Sequence, residues 1–510
     1  MTTMVGDEPL LLVGADVVTL DDARPHASAL LVKRRRIAWL GAVEDIPTVP
    51  GVRRIDLTGA TVMPAFVNAH SHLTNVGLAL NAMDLSIADS LSDCLGAVEA
   101  IATVTPHRVI WAGGWDETKW PEHRAPSADD LARAGDDRPV MLVRADGHCV
   151  VVDRTSLSAL PIARSRGVER GPDGRPTGLL RQEAAQVAQR WFSAEMPEGV
   201  LSEARASAAE HLVTLGVASV HEMGGPHRMG PADFDAWLQG KWPIEVIPYW
   251  GDLDLEFVVE RGLRRVGGSL LLDGTIGSHS AALVEPYVDR AGSGQLYRDS
   301  AELTEFALEA TRRGIQVALH AIGDRAVAQA IEVLEKVAAE VGVAQLRRLA
   351  HRIEYAALIQ PEQMIRLARL GVVVVIQPAT DLSLGVDGGA YELRLGTERA
   401  RSSNPLSSLA SHGIPLAFGS DSVVNLDPWR SVDAAAEPRV GLPALERQMG
   451  IRAATLGGRT AAHQANVGVL RPGQRADLAA FEHPDDAERR RCILTMVAGR
   501  PVFEDGRVHV

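Results

Sequence analysis

Between residues 60 and 425 the chain repeats one pattern: a short apolar run rich in β-branched residues, then a longer stretch whose apolar positions recur at helical spacing. Runs of this kind read as parallel strands buried on both faces. Eight are present: Ala60–His72, Gly216–Glu222, Ile244–Trp250, Gly268–Asp273, Gly314–His320, Arg348–Tyr355, Gly371–Gln377 and Ile414–Asp421. Eight strand-then-helix units predict an α/β protein built on a (β/α)8 barrel of the TIM type. The first two runs stand about 140 residues apart, far more than one helix requires. An insertion after barrel strand 1 is therefore expected at about 75–205, with strand-like pieces at Val109–Trp115 and Pro139–Val152. Residues 1–60 and 468–510 read as short strands and turns, with Asp505-Gly506 as a hairpin signal. The expected organisation is one small β domain from both ends, 1–60 plus 468–510, beside a barrel at 61–467.

Composition narrows the class of protein. With 46% apolar and 23% charged residues in 510, the chain is neither disordered nor fibrous. Its 52 basic and 65 acidic residues leave a net charge of −13, which repels nucleic acid and acidic membranes and favours a small-molecule substrate. The one basic run, Lys33-Arg34-Arg35-Arg36, lies between strand-like Ser28–Val32 and Ile37–Leu40 and reads as a solvated hairpin tip. Three scattered cysteines, Cys94, Cys149 and Cys492, argue against a disulfide framework and against a cysteine-zinc site. The N-terminus lacks the basic start of an export signal, and no run approaches the ~18 apolar residues of a membrane helix. The expectation is a cytoplasmic enzyme with no membrane or nucleic-acid partner; a homodimer is compatible with it.

The chemistry concentrates at the carboxyl ends of the expected strands, where barrel enzymes keep their reacting groups. His70 and His72 stand at i and i+2 in Met63-Pro-Ala-Phe-Val-Asn-Ala-His-Ser-His-Leu73, so both imidazoles face one side of a strand and can share a metal. Sixteen histidines in this length supply about half of one His-x-His pair by chance, so position carries more weight than the motif. His320 closes Gln316-Val-Ala-Leu-His320, and Asp421 closes Leu416-Ala-Phe-Gly-Ser-Asp421. Three imidazoles and a carboxylate suit one divalent ion, Zn²⁺ first and Fe²⁺ or Mn²⁺ as alternatives, with a position open for water. Such an ion makes water a nucleophile near neutral pH, and Asp421 can take its proton and pass it to the leaving group.

Taken together these segments resemble the amidohydrolase superfamily, in its family 3 branch of metal-dependent amide and cyclic amide hydrolases. The resemblance rests on Pro64–His72, Gly114-Trp-Asp-Glu-Thr-Lys-Trp120, Asp146-Gly-His148, Asp273-Gly-Thr-Ile-Gly277, His320-Ala-Ile-Gly-Asp-Arg325, Arg352-Ile-Glu354, Gln377-Pro378, Gly419-Ser-Asp421 and the tail from Gly468 to Leu478. It implies that the two ends form a β-sandwich. Family members commonly carry a bridging lysine four residues before Asp-Gly on strand four and a ligand histidine after Ile-Glu on strand six. Here those positions hold Ser269 and Tyr355. His351 lies about 13 Å deeper along the barrel and reads as structural. The remaining His70, His72, His320 and Asp421 match the one-metal arrangement used elsewhere in the superfamily.

Around this centre the resemblance suggests further roles. Tyr355 either donates to a developing oxyanion or fills vacated volume. His148 and His279 are candidates for substrate binding or transition-state donation, Asp273 for substrate binding, and Asp324 and Arg325 for holding the loop after strand five. Trp111, Trp115 and Trp120 cluster in the insertion; Trp115 and Trp120 are read as walls of an apolar substrate pocket, Trp111 as part of the insertion's own core. The expected activity is hydrolysis of a non-peptide C–N bond in a linear or cyclic amide. The alternatives are a heterocycle deaminase or ring-rearranging enzyme on the same metal, or a binding scaffold without catalysis.

Overall fold

Parallel pairing carries eight strands in chain order around one sheet: β1 Phe66–Ser71, β2 Val217–Gly224, β3 Glu245–Trp250, β4 Arg265–Leu271, β5 Gln316–Ala321, β6 Arg352–Tyr355, β7 Val373–Ile376 and β8 Leu416–Phe418. This computed structural model describes residues 8–104, 109–136, 138–145, 149–163, 165–226, 228–421 and 426–506. Each of the eight expected runs overlaps one barrel strand. The ring is drawn together between β8 and β1 by side chains: Ser420 N donates to Asn68 Oδ1 at 3.0 Å, and Asn68 Nδ2 donates to Ser420 Oγ at 2.8 Å. Asp421 N donates to His70 O at 3.0 Å, so the contact that links the two strands also brings Asp421 beside His70.

Local chemistry explains the elements. The helix Asp324–Val341 after β5 buries Val327, Ala330, Ile331, Leu334, Val337 and Ala338 at helical spacing and stops at Gly342, whose φ is +85°. In β4, Gly267 has φ +98°, and a Cβ there would sit 1.9 Å from Ala318 O, so only glycine lets β4 approach β5 at this point. The glycines of this segment therefore serve strand packing.

The first run divides at Ala65. Ala60–Pro64 pairs antiparallel with Leu478–Glu482, while Phe66 begins the barrel. Pro64 has no N–H for a continuing ladder, which places the break. Ala60–Pro64 belongs to an eight-stranded sheet that also contains Leu10–Val18, His26–Lys33, Arg36–Gly41, Arg53–Asp56, Leu478–Glu482, Arg491–Val497 and Arg500–Glu504. Leu10–Val18 pairs with Arg53–Asp56 along its first half and with Ala60–Pro64 along its second, so the sheet forks. Leu12, Leu30, Ile55, Val62, Leu478 and Leu494 share its core. Lys33 pairs with Arg36 around Arg34 and Arg35, at φ +50° and +67°, which makes the basic run a hairpin tip. A hairpin near the C-terminus turns at Ala498-Gly499, φ +46° and +73°, and the residues after Asp505-Gly506 lie outside the described ones.

The chain divides into two units: Met1–His72 with Ala209–Met223 and Leu238–Val510, and Leu73–Ala208 with Gly224–Trp237. The second unit has its own six-stranded sheet, in the order Val168–Arg170, Pro176–Arg181, Cys149–Val152, Val140–Arg144, Ile110–Trp115 and Met83–Asp84. Alternate side chains serve opposite cores. Val151 and Leu142 pack with Cys94, Val98 and Leu131, whereas Val150 and Met141 pack with Ala188 and Phe192. The segment 224–237 joins this unit although it follows β2 in sequence: Arg205 Nη1 and Thr74 Oγ1 each donate to Asp233 Oδ1 at 2.7 Å. Among the described residues no helix is long and apolar enough to cross a membrane, and the three cysteines are buried and form no disulfide.

Candidate metal centre

Along β1 the two-residue period puts Asn68, His70 and His72 on one face, toward the carboxyl end of the strand. Their neighbour across the ring is Asp421. His72 Nε2 lies 3.2 Å and His70 Nε2 3.8 Å from Asp421 Oδ1, with side chains 12%, 2% and 21% exposed for His72, His70 and Asp421. One ligand atom from each of the three falls within 4.8 Å of the others, which is the spacing of donors around a common cation.

What aims His70 is a buried ion pair. Its Nδ1 lies 2.8 Å from Glu354 Oε2, so the carboxylate accepts the Nδ1 proton and leaves the Nε2 lone pair directed at the centre. Glu354 accepts from Arg352 as well, Nε to Oε1 at 2.9 Å and Nη2 to Oε2 at 3.0 Å. Arg352 also donates from Nη2 to Ala69 O and from Nη1 to His221 Nδ1, both at 2.8 Å, and its guanidinium lies over the Tyr249 ring. Both members of the pair are wholly buried. Burial by itself would raise the Glu354 carboxyl, but the Arg352 guanidinium overrides it and holds the group below the ordinary carboxylate range. Burial and then the Arg352 charge push His221 well below the usual imidazole range, so its Nδ1 is an acceptor. Sequence reasoning quoted Arg352-Ile-Glu354 without assigning it a role. The signal was present: two opposite charges at i and i+2 of an otherwise apolar strand must face the same way and pair.

Tyr355, at the end of β6, donates its phenol hydrogen to Asp421 Oδ2. The two carboxylate oxygens are thereby divided, Oδ1 toward the imidazoles and Oδ2 toward the phenol. Tyr355 and Asp421 both have left-handed backbone, φ +76° and +39°, an arrangement that costs about 1–2 kcal/mol per residue and is kept where packing or function requires it. The sequence reading offers this phenol as an oxyanion donor or as filler, and in the structure it meets the Asp421 carboxylate.

The four-ligand set is brought together only in part. Among the described residues the converging group is His70, His72 and Asp421, and His320 stands outside it. Between them stands Tyr355, whose ring packs edge-on against His320 at 4.8 Å and against His70 at 5.9 Å between centroids. Ser269, at the position of the family lysine, donates to Met223 O at 3.1 Å and joins β4 to β2.

The remaining candidates separate clearly. His148 lies outside the described residues. Asp273 is wholly buried, and its carboxylate accepts from Ala282 N and Gly323 N at 2.8 Å and Ile322 N at 3.0 Å. It ties the loop after β4 to the loop after β5, which corrects its placement as a substrate contact; burial pushes it up to about 7 against the three donors. His279 Nε2 is held 3.0 Å from Asp289 Oδ1. Trp115 and Trp120 are wholly buried in the second unit's own core rather than walls of a pocket, while Trp111, partly buried, packs against that unit's other core cluster, as expected of it. His351 is structural as read: its Nδ1 accepts from Val317 N at 2.9 Å and its Nε2 meets Thr311 Oγ1 at 3.0 Å. Asp324 Oδ1 accepts from Val284 N and holds the loop.

Comparison with known proteins places the chain in a family. The amidohydrolase family pattern matches residues 53–503. The chain is similar to Protein LONG AFTER FAR-RED 3 of Arabidopsis thaliana, 28% identical over 463 residues covering 84% of this chain and 78% of that protein. It is also similar to the N-substituted formamide deformylase of Arthrobacter pascens, 24% identical over 442 residues covering 81% and 80%. Among solved structures, a metal-dependent hydrolase of Pyrococcus furiosus superposes with a TM-score of 0.77 at 27% identity, covering 94% of this chain and all of that one.

Proposed function

Because the chain belongs to the amidohydrolase family, we propose that it is a metal-dependent hydrolase cleaving a non-peptide C–N bond of a linear or cyclic amide, with one divalent cation held by His70, His72 and Asp421. The observation that carries the reading is the convergence of two imidazole nitrogens and a carboxylate oxygen within 4.8 Å at the carboxyl rim of the barrel. This donor set fits Zn²⁺, Fe²⁺ or Mn²⁺, and Glu354 supplies the outer hydrogen bond that such an imidazole requires. His320, one residue before the end of β5, is retained in this reading as the fourth ligand.

A divalent cation in this place supplies Lewis acidity and lowers the pKa of water toward neutrality. The chain's own groups do the rest. Asp421 Oδ1, between two imidazoles, receives the proton released as water attacks the amide carbon and returns it to the departing nitrogen. The Tyr355 phenol on Oδ2 fixes the carboxylate plane, and Glu354 with Arg352 keeps His70 from turning. A single cation is favoured because Ser269 and Tyr355 occupy the positions where family members place a bridging lysine and a histidine. A C–N substrate is supported by the deformylase relative.

Elemental analysis and a screen of N-formyl, N-acyl and lactam compounds test the reading. One equivalent of Zn, Fe or Mn, lost in His72→Ala, with release of an amine and an acid, is expected. A stable protein that binds no metal would overturn it, two equivalents would overturn the single-cation part, and ammonia from a heterocycle would replace amide hydrolysis by deamination.

A further inference from the structure

With Trp115 and Trp120 committed to the core of the second unit, the apolar surface that reaches the candidate metal centre belongs to the barrel unit. Four successive loops at the carboxyl rim build one apolar cluster there. It contains Ile276 and Leu283 after β4, Ile322 after β5, Leu358 after β6, and Tyr391 and Leu395 after β7, all six of them buried. Two more side chains pack against this cluster and are only partly buried, Tyr355 and Leu384. Tyr355 carries one edge of the cluster into the centre: its phenol meets Asp421 and its ring meets His320 and His70. Leu384 follows Thr380 by four residues in the helix Pro378–Leu384, so the two share a face about 6 Å apart along the axis. Thr380 donates to Ser420 O at 3.1 Å, and Ser420 precedes Asp421. Tyr355 and Leu384 therefore approach Asp421 from the ends of β6 and β7, each with apolar surface left uncovered. Asp421 itself is 21% exposed, so the centre is open to a ligand.

We propose that Tyr355 and Leu384 form an apolar shelf that selects substrates by the group next to the scissile bond, an uncharged aryl or branched alkyl group. Charged side chains of the same loops are engaged in holding them. Arg399 donates from Nη1 to Glu285 O at 3.0 Å and from Nη2 to Pro286 O at 2.7 Å, and Arg394 pairs with Asp289. Asp381 accepts from the Tyr391 phenol at 2.9 Å, while Asp273 and Asp324 accept from backbone N–H groups. A charged substituent on the shelf would lose hydration against two apolar side chains, and an anionic one would also be repelled by Asp421. An apolar substituent gains burial in the same place. Within the hydrolase reading on which it rests, the shelf narrows the substrate class to amides bearing such a substituent. Leu384 is a specificity-determining residue and takes no part in proton transfer.

The test is calorimetric titration of the full zinc-loaded chain with four hydroxamates, which share one metal-chelating head and differ in the attached group: methyl, isobutyl, phenyl or 2-carboxyethyl. It reads affinity without turnover. The phenyl and isobutyl compounds are expected to bind the native protein at least about tenfold more tightly than the methyl compound, and the carboxyethyl compound no more tightly than it. Leu384→Ala should bring phenyl and isobutyl to within about threefold of methyl and leave the methyl affinity at its native value. Leu384→Met keeps the apolar volume and should keep the native preference. Equal affinities across the native series, a preference for the carboxyethyl group, or a phenyl preference undiminished in Leu384→Ala would overturn the shelf. Loss of methyl affinity in Leu384→Ala would mark the residue as structural and overturn its part in selection. A chain that binds no zinc overturns the metal-dependent reading and the shelf with it. Zinc binding with no hydroxamate bound, or with no preference among them, overturns the shelf alone.

Discussion

Glu354→Gln probes the buried pair beneath the metal centre. In the native protein Glu354 accepts two bonds from Arg352, at 2.9 and 3.0 Å, and one from His70 at 2.8 Å, and neither it nor Arg352 reaches solvent. Glutamine keeps the volume but not the charge, so the Arg352 guanidinium is left in the barrel without a counter-ion at a cost of about 3–5 kcal/mol. Independently, an uncharged amide holds the His70 Nδ1 proton less firmly, and loss of such an outer partner weakens metal binding about 10- to 100-fold. Adding Arg352→Met removes the orphaned charge. The double variant should therefore regain most of the lost stability and none of the lost metal affinity. Urea-unfolding midpoints of the metal-free native, two single-variant and double-variant proteins measure the first quantity, and competition with a chelator the second. Native metal affinity in Glu354→Gln would refute the claim that this carboxylate aims His70. A double variant no more stable than Glu354→Gln would refute the assignment of the cost to an unpaired cation.

Two further outcomes follow from the same interior. Burial pushes His351 down to about 3, whereas an unfolded imidazole titrates near 6.5. Below about 6.5 the unfolded chain binds a proton that the folded one refuses, so this stability is complete above that value and falls by about 2 kcal/mol between pH 7.5 and 5. Unfolding midpoints of native protein and His351→Gln over that range should diverge in slope; parallel curves would contradict the assignment. At Gly419 a Cβ would sit 2.6 Å from the N and Cβ of His70, so Gly419→Ala must push β8 away from β1. A loss of about 1–3 kcal/mol together with reduced metal content is expected, and full metal occupancy in a stable variant would show that the two strands need not be so close.

Much of this protein could be read along the chain because the relevant physics is short-ranged. Burial on both faces makes a parallel strand a continuous apolar run wherever it occurs, so all eight barrel strands were visible, and the period of two put His70 and His72 on one face without any fold. The hairpin at Arg34-Arg35 was visible for the same reason. The second unit was only outlined. Its segment 224–237 follows β2 and is bound to it through Asp233, a contact with Thr74 that spans 159 residues. The two tryptophans Trp115 and Trp120 offer the same composition whether they close a core or line an opening, and only their packing distinguishes the two.

The candidate metal centre shows the division most sharply. Residue types and strand-end positions were enough to single out His70, His72 and Asp421, because a cation needs those donors and a barrel displays them at one rim. Which oxygen of Asp421 meets the imidazoles, that Tyr355 holds the other, that His320 stays outside the group, and that Arg352 and Glu354 aim His70 across 284 residues of chain were not readable beforehand. Those facts concern directions of side chains from different strands. Such directions are set by competition for hydrogen bonds in a closed interior, and that competition does not exist until the strands have met.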